Sequence, residues 1–284
     1  MPTAEKSGYP ISSGAIGVFD SGVGGLSVLR HIRHALPNEH LIYVADSGHV
    51  PYGDKPASYI EQRSLALASF LIEQGADAIV IACNTATAAA AATLRSRFNI
   101  PIIGMEPAVK PAVAATKTGV IGVLATVGTL ASARFAALLE RYAGEVEIIT
   151  QGCPGLVEQV ERGELSGTAT RELIARYTAP LLARGADTLI LGCTHYPFLA
   201  SLITEVVGDS ITLVDTGAAV ARQLHSRVQA ELPTRKIPVR PKLVEGRAGA
   251  QFWTSGDAAQ ASHIMPMLWG EAVAVQRLTQ KELG

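Results

Sequence analysis

The chain contains the stretch GADAIVIACNT at residues 75–85 and a close copy of it, GADTLILGCTH, at residues 185–195. In each copy, a glycine and an acidic residue precede a run of apolar side chains, as at a turn from a helix into a buried strand. Each copy contains a cysteine at the same position near its end, and Cys193 follows Cys83 by 110 residues. Any two parallel strands share some of this pattern, but the shared cysteine favours an internal duplication.

Outward from this repeat, short apolar runs alternate with longer stretches rich in alanine and leucine. A second pair of runs, IGVFDS at 16–21 and IGVLAT at 121–126, repeats at a similar spacing. The predicted strands are 16–19, 41–44, 78–81, 119–124, 146–149 and 188–191, and the predicted helices are 26–34, 58–74, 128–142, 168–183 and 216–230. This alternation is typical of a parallel sheet with helices on both faces.

We therefore predict an α/β fold made of two similar, doubly wound domains with mainly parallel sheets. A pseudo-two-fold axis is expected to relate the domains, with the active site at their interface. The first domain is placed at residues 1–107 plus 216–284 and the second at 108–215. The closing segment 252–278, which follows the Pro-rich stretch 233–241, is expected to return to the first domain. The residues before Ile16 are expected to form an extra tail.

The composition is that of a globular chain with a sizeable core, since 48% of its 284 residues are hydrophobic and 17% are charged. A formal net charge of −1 offers no basic surface for phosphates, so we expect no nucleic-acid partner. We also expect no export signal, because residues 1–13 hold no charged stretch leading into an apolar run, and no membrane span, because polar residues interrupt the most apolar segment, 76–94. The three cysteines form no C-x-x-C pair, and we expect free thiols in a cytoplasmic protein.

Polar side chains follow four of the predicted strands at the point where each strand ends. They are Asp20 and Ser21, then Cys83, Asn84 and Thr85, then Thr126, and finally Cys193, Thr194 and His195. Serine, threonine and asparagine at such positions are also good helix N-caps, which is the plain structural interpretation of each. In open α/β sheets, however, ligands bind beyond the carboxyl ends of the strands. All four ends together suit a small anion with two carboxylates and an amine.

The two cysteines at equivalent positions of the repeat, Cys83 and Cys193, would oppose each other if the domains packed with these strand ends facing. That geometry serves the inversion of a carbon centre, in which one face loses a proton while the other receives one. The third cysteine, Cys153, is interpreted as a buried structural thiol.

A thiol acts as a base only after it has lost its own proton. A free thiol with a pKa of about 8.5 is only about 3% thiolate at neutral pH. A helix N-terminus contributes about 0.3–1 kcal/mol, which moves a pKa by less than about one unit. A neighbouring proton acceptor is therefore required, and the candidates are Asp20, His195 and Glu161. The structural alternatives are a cap for Asp20 and a bond to a backbone group for His195.

The glycine run GVGG at 22–25, with Asp46 ending the next strand, partly resembles a dinucleotide-binding fingerprint. Ser27 stands in place of the third glycine, and a dinucleotide site would leave the paired cysteines unexplained. We interpret the run as a tight turn that lets a small ligand approach the backbone. The loop VPYG at 50–53 is either a plain turn or a wall that orders the ligand through Tyr52 and the next amide.

Several segments together resemble the glutamate racemases of the aspartate/glutamate racemase superfamily. They are FDSGVGGLS at 19–27, PYG at 51–53, ACNTA at 82–86 and GCTHYP at 192–197, and TSGD at 254–257 is similar to the family's closing segment. Two positions depart from the family pattern. His49 stands where many members have arginine, and Thr87 replaces a more usual serine.

The resemblance implies that Cys83 and Cys193 are the acid/base thiols, one for each enantiomer. It places an assisting carboxylate at Glu161, with Glu158 as the neighbouring alternative. The implied substrate-binding residues are Asp20, Ser21, Tyr52, Gly53, Asn84, Thr85, Thr194 and His195, to which we add Pro51 and Thr126. The implied reaction converts L-glutamate to D-glutamate without pyridoxal phosphate, metal or other cofactor. By the same resemblance, the product supplies peptidoglycan synthesis, and hence cell wall and cell shape, in the bacterial cytoplasm.

Two other hypotheses stay open at this point. A superfamily relative acting on aspartate, hydantoins or malonates would keep the fold and change the pocket. A two-domain amino-acid-binding protein would share the repeat but would have no use for paired thiols. The expected partner is a small-molecule substrate, and a homodimer is left open.

Overall fold

The protein is described by a computed structural model that covers residues 14–142, 144–231 and 249–282. The strands are β1 (Ala15–Asp20), β2 (His40–Ala45), β3 (Ala76–Ile81), β4 (Ile102–Ile103), β5 (Val120–Ala125), β6 (Glu147–Gly152), β7 (Thr188–Leu191), β8 (Thr212–Val214), β9 (Ala250–Thr254) and β10 (Val275–Arg277). The helices are α1 (Leu26–Ala35), α2 (Ala57–Glu73), α3 (Asn84–Arg97), α4 (Val109–Ala115), α5 (Val127–Leu130), α6 (Ala133–Glu140), α7 (Leu156–Glu161), α8 (Thr168–Ala183), α9 (Ala200–Val207), α10 (Gly217–Glu231) and α11 (Ala258–Trp269). None of these helices is long and apolar enough to cross a membrane.

The strands form two parallel sheets, ordered β10-β9-β2-β1-β3-β4 and β6-β5-β7-β8. The order β2-β1-β3-β4 in the first sheet matches the whole of the second, so the second half repeats the arrangement of the first. In register, Phe19 lies opposite Ile81 in one sheet, and Leu124 lies opposite Leu191 in the other. The polar residues that follow these strands therefore emerge at matching edges. The predicted fold of two similar α/β units is confirmed.

Helices cover both faces of the first sheet. Alternate residues of β1 enter different cores: Ile16 packs in one core with Leu29 of α1, and Phe19 packs in the other with Leu67 of α2. All six residues of β1 are buried. Each large apolar side chain so buried contributes about 1.5–3 kcal/mol, which fixes the strand whose end carries Asp20.

The closing segment returns to the first sheet, as predicted. Strand β9 pairs in parallel with β2, where Trp253 lies opposite Val44, and β10 pairs with β9. The strands of the second sheet all fall within 108–215. The proposed boundaries at 107/108 and 215/216 stay a prediction, and the Pro-rich stretch 233–241 and the tail at 1–13 lie outside the described residues.

The prediction of one helix over 128–142 is wrong. Two helices, α5 and α6, occupy this stretch, and Ser132 lies between them. Its hydroxyl accepts a hydrogen bond from the backbone N–H of Phe135 at 3.1 Å, so a new helix begins there. A serine side chain that bonds to nearby backbone competes with helix continuation. The short strands β4 and β8 were not predicted, because two or three residues carry no readable period.

Candidate active site

Residues that follow strands of both sheets line one small cavity. The residues of the predicted site on its wall are Ser21, Pro51, Tyr52, Gly53, Cys83, Asn84, Thr85, Thr126, Cys193, Thr194 and His195. The other two predicted residues, Asp20 and Glu161, lie behind that wall and bond to residues on it. The free space measures about 10 Å³, which is room for about one water molecule.

The Cys83 sulfur caps helix α3. It follows β3, and its Sγ accepts a hydrogen bond from the backbone N–H of Ala86 at 3.4 Å. Asn84 and Thr85 are thus the first two residues of the helix, and the interpretation of them as N-caps is wrong. The cap position holds the sulfur at the helix N-terminus and faces it toward Ser21, whose Oγ accepts from the thiol at 3.9 Å.

Asp20 is the buried carboxylate on the Cys83 side. It accepts hydrogen bonds from the backbone N–H groups of Ser21 at 2.7 Å and Gly25 at 2.6 Å, and from the Thr194 hydroxyl at 3.0 Å. Burial raises the pKa of Asp20, and the charge of His195 and these donors offset only part of that rise. Burial also raises the pKa of Cys83 well above its ordinary value, and the Asp20 charge adds to the effect. The Cys83 thiol therefore holds its proton until an acceptor takes it.

His195 is the corresponding group on the Cys193 side. Its Nδ1 lies 3.6 Å from the Cys193 sulfur, and its Nε2 lies 2.7 Å from Oε1 of Glu161. That Oε1 also accepts from the backbone N–H of Val23 at 2.7 Å, so it is an acceptor and Nε2 carries the hydrogen. Burial lowers the pKa of His195, but its bonds and charge interactions with Cys193 and Glu161 outweigh burial and raise that pKa well above its ordinary value.

The glycine run after β1 makes space for the other half of the protein. A Cβ added at Gly22 would clash with the Glu161 carboxylate, and one added at Gly24 would clash with the His195 ring. A Cβ at Gly25 would lie 2.8 Å from the Cβ of Asp20. The groups that approach these glycines therefore belong to the protein, which corrects the prediction that the turn admits a ligand.

Hydroxyl groups from both halves meet at one end of the cavity. The Oγ1 atom of Thr85 lies 2.9 Å from that of Thr126 and 3.2 Å from that of Thr129. Asn84 lies beside them, and within the described part of the chain neither its side-chain oxygen nor its nitrogen has a hydrogen-bond partner. A buried amide without a partner is costly, so this wall suits a polar ligand.

Tyr52 reaches the cavity from a loop held by a buried ion pair. Its hydroxyl donates to Asp46 at 2.6 Å, and Arg63 contacts the same carboxylate at 2.7 Å. Burial first, and then the Asp46 charge, raise the pKa of Tyr52. Because the hydroxyl is already bonded to Asp46, the interpretation that it orders a ligand is replaced by one in which the ring and the loop backbone form the wall. His49, in the same loop, bonds to Tyr59 of α2 at 2.5 Å.

Three wall residues are not among the predicted site residues, namely Thr129, Val157 and Gly192, although Gly192 lies in the quoted motif GCTHYP. The spacing of Thr126 and Thr129 at the start of a helix was the available signal, because it places both hydroxyls on one face. Cys153 is buried outside the wall, and its thiol donates to the Gln151 carbonyl at 3.3 Å. Burial raises its pKa to about 12, to which the charge of Cys193 adds.

Of the two carboxylates considered on α7, Glu161 is the one at the site. It is 8% exposed and bonds to His195, whereas Glu158 is only half-buried and is absent from the cavity wall. Over residues 14–142, 144–231 and 249–282, no group of three or more His, Cys, Asp or Glu side chains is arranged to hold a metal ion.

Fold and cavity together define an α/β protein of two similar halves, with a thiol from each half on one cavity wall. Residues 16–224 match the family described as Asp/Glu/Hydantoin racemase. The chain belongs to this family and, within it, to the glutamate racemases. The resemblance to the glutamate racemases, seen in the sequence motifs, is confirmed.

Similar proteins and solved structures support this assignment to the glutamate racemases. The glutamate racemases of Ectopseudomonas mendocina and Methylococcus capsulatus are each 59% identical to this chain, over 93% and 89% of it and over 98% and 91% of their own lengths. Among solved structures, glutamate racemase isoform RacE1 from Bacillus anthracis has a TM-score of 0.81 at 32% identity, covering 94% of this chain and 98% of that one. The Escherichia coli glutamate racemase, solved with L-glutamate and the activator UDP-MurNAc-ala, has a TM-score of 0.79 at 32% identity, covering 93% and 97%.

Proposed function

We propose that this enzyme interconverts L- and D-glutamate by exchanging the α-proton between Cys83 and Cys193. One observation carries the proposal: thiols from equivalent positions of the two halves line the same cavity, and each has its own proton acceptor. Glutamate is proposed as the substrate because relatives named glutamate racemase are 55–59% identical over most of the chain. We propose the predicted substrate-binding residues with it, since the cavity wall gathers all of them except Asp20, which bonds to Thr194 on the wall.

In the proposed reaction, one thiol first becomes a thiolate by passing its proton to the neighbouring acceptor. Asp20 is that acceptor for Cys83, and His195, held by Glu161, is the acceptor for Cys193. The thiolate then removes the α-proton from one face of the substrate. The opposite thiol donates a proton to the other face, which inverts the carbon. The other enantiomer uses the two thiols in exchanged roles.

Polar groups of the wall are suited to hold the substrate carboxylates. The first turn of α3 begins at Asn84, and the first N–H groups of a helix have no partner within it. Such groups stabilise an anion, including the charge that develops when the α-proton leaves. Since the thiols and their acceptors supply both proton steps, the proposal uses no pyridoxal phosphate or metal. It extends to a cytoplasmic enzyme that supplies D-glutamate for peptidoglycan, and its support there is the resemblance to the family.

The test uses purified protein in deuterated water without added cofactor. L-Glutamate and D-glutamate are supplied separately, optical rotation reports inversion, and proton NMR reports loss of the Cα–H signal. The wild-type protein is expected to produce both changes. Cys83→Ser and Cys193→Ser are each expected to lower racemisation by at least about 10³-fold, because a positioned acid or base is lost.

Each cysteine variant is also expected to exchange the α-proton of a single enantiomer, and the two variants are expected to select opposite ones. Normal turnover in either variant would remove that cysteine from the mechanism. Exchange of the same enantiomer by both would contradict placement of the thiols on opposite sides. Parallel assays with aspartate and a hydantoin test the substrate, which would be reassigned if either were turned over faster than glutamate.

A further inference from the structure

A two-thiol racemase must reset itself after every turnover. When one enantiomer has reacted, the sulfur that removed a proton holds it, and the opposite sulfur has lost its own. The enzyme is then ready only for the reverse reaction. Another turnover in the same direction requires one proton to pass from the first sulfur to the second. This inference rests on the reaction proposed above, and it concerns the route that proton takes.

Hydrogen bonds connect the two sulfur atoms through the protein. On the first side, the Cys83 thiol donates to Ser21 Oγ at 3.9 Å, and that hydroxyl donates to Asp20 Oδ1 at 3.2 Å. On the second side, His195 Nδ1 lies 3.6 Å from the Cys193 sulfur.

A single hydroxyl joins these two ends. Thr194 Oγ1 lies 3.0 Å from Asp20 Oδ2 and 3.5 Å from His195 Nδ1. It therefore contacts the proton acceptors of both halves. A hydroxyl can accept one proton while it releases another, so Thr194 can pass a proton from one acceptor to the other.

The surroundings of this path favour transfer inside the protein. Its six side chains, Cys83, Ser21, Asp20, Thr194, His195 and Cys193, are each more than nine-tenths buried. The imidazole is also oriented for proton transfer, because Nε2–H is bound to Glu161 and Nδ1 therefore faces both Thr194 and Cys193. Ser27 fixes the threonine backbone, since its hydroxyl donates to the Thr194 carbonyl at 2.8 Å.

We propose that the Thr194 hydroxyl carries the proton that resets the enzyme between turnovers. The Cys83 thiol gives its proton to Asp20, directly or through Ser21. Protonated Asp20 gives that proton to Thr194 Oγ1 while the threonine releases its own hydroxyl proton to His195 Nδ1. The imidazolium then protonates the Cys193 thiolate. One proton leaves one sulfur, one arrives at the other, and no electrons move between groups. The reverse sequence serves the opposite direction.

The test measures the reset step by tracer perturbation. Radiolabelled glutamate at racemic equilibrium is incubated with enzyme, and a large excess of unlabelled L-enantiomer is added. If reset is slow, net flux leaves the enzyme in the form that accepts D-glutamate, and label moves transiently against that flux. Thr194→Val removes the hydroxyl at nearly constant volume. It is expected to lower the concentration at which this countertransport begins by about tenfold or more, because positioned proton transfer contributes about 10²–10⁴-fold to a rate.

Two further variants separate this role from substrate binding. Thr194→Ser keeps the hydroxyl and is expected to restore the wild-type onset. Thr129→Val removes a wall hydroxyl that lies off the path and is expected not to lower the onset. A threonine that only bound substrate would act with the opposite sign: its loss would lower kcat/KM and so raise the concentration needed for countertransport. An unchanged or raised onset in Thr194→Val overturns the proposal.

The wild-type enzyme gives an independent measurement. At concentrations where reset limits turnover, the rate in mixtures of light and heavy water is expected to fall along a curve, because several protons move together. A straight line would mean a single moving proton and would overturn the relay. These outcomes are distinct from failure of the two-thiol reaction itself, which the cysteine variants report.

Discussion

The two halves of the site share a backbone plan and differ in the chemistry around each sulfur. Both cysteines follow the strand next to the first strand of their sheet. Cys83 has a carboxylate for its partner, supplied by the neighbouring strand β1, whereas Cys193 has an imidazole two residues further along the chain. The duplication thus fixes where the thiols stand, and later divergence fixes which side chain lies beside each one.

The difference between the partners changes the electrostatics of each side. The negative charge of Asp20 holds the Cys83 proton in place, whereas on the other side bonds and charge interactions with Cys193 and Glu161 raise the pKa of His195. Each acceptor is also held by the opposite half. Thr194 donates to Asp20, and the backbone N–H of Val23 donates to Glu161, which in turn holds His195. The two halves therefore differ in their chemistry, and each supplies a hydrogen bond to the acceptor groups of the other.

Removing each acceptor in turn tests this difference between the halves and has the largest expected effect. Asp20→Asn and His195→Asn are each expected to lower kcat/KM by about 10²–10⁴-fold, because each thiol loses its base. The loss must be equal in both directions, since the enantiomers have equal free energies. The primary deuterium isotope effect is expected to differ, rising in one direction for one variant and in the opposite direction for the other. A rise in the same direction for both variants would mean that the acceptors do not serve separate thiols.

The glycine turn offers a steric test of the same contact between halves. Gly24→Ala is expected to displace the His195 ring and lower kcat by about 10²-fold, the cost of misplacing a catalytic group by about 1 Å. The matched control is Gly167→Ala, where the added methyl meets only the flexible tip of Glu164 at 3.3 Å. Steady-state kinetics at matched folded fraction, checked by circular dichroism, measures both. Equal activity of the two variants would show that the glycine does not make room for the imidazole.

A third prediction concerns pH and sharpens the role of the Glu161–His195 pair. The pair raises the pKa of His195, so its stabilisation is fully present below the unfolded value of about 6.5 and is lost as pH rises through the folded pKa. Glu161→Gln is therefore expected to lower the free energy of unfolding by about 1.5–3 kcal/mol in mildly acidic buffer. The difference should shrink in alkaline buffer. Urea denaturation at several pH values checks this, and a difference that grows with pH would reverse the assignment.

The smallest expected effect is at the third cysteine. Cys153→Ala is expected to leave racemisation near the wild-type rate, because the sulfur lies outside the cavity wall. Loss of a buried sulfur should cost about 1 kcal/mol of stability. Thermal unfolding and racemisation assays, run beside the other two cysteine variants, provide the measurement. A large loss of activity without a loss of fold would extend the catalytic set beyond the repeat.

The sequence was most informative where the signal was local. A strand ending in a cysteine can be recognised from eleven residues, and finding it twice predicted the duplication and both thiols. The roles of the glycines could not be predicted, because the side chains that crowd them, Glu161 and His195, come from more than 130 residues away.

Other features depend on packing that no local pattern reports. The choice of Glu161 over Glu158 depends on which of the two carboxylates reaches His195, and residues three apart lie on nearly the same face of α7, so sequence spacing does not separate them. The sulfur of Cys83 as a helix cap runs against residue preferences, which favour hydroxyl and amide side chains. The bond from Tyr52 to Asp46 was equally hidden, since it depends on Arg63 from the next helix.

The fit of the glycine turn around Glu161 and His195 also bears on how such a protein can change over generations. The absence of side chains at Gly22 and Gly24 leaves the space that Glu161 and His195 occupy, and those two residues are encoded in the other half of the gene. Recombination that replaced one half with that of a distant relative would preserve this fit only if the glycines and the two side chains still matched. Drift at either place is therefore expected to be answered by a change at the other.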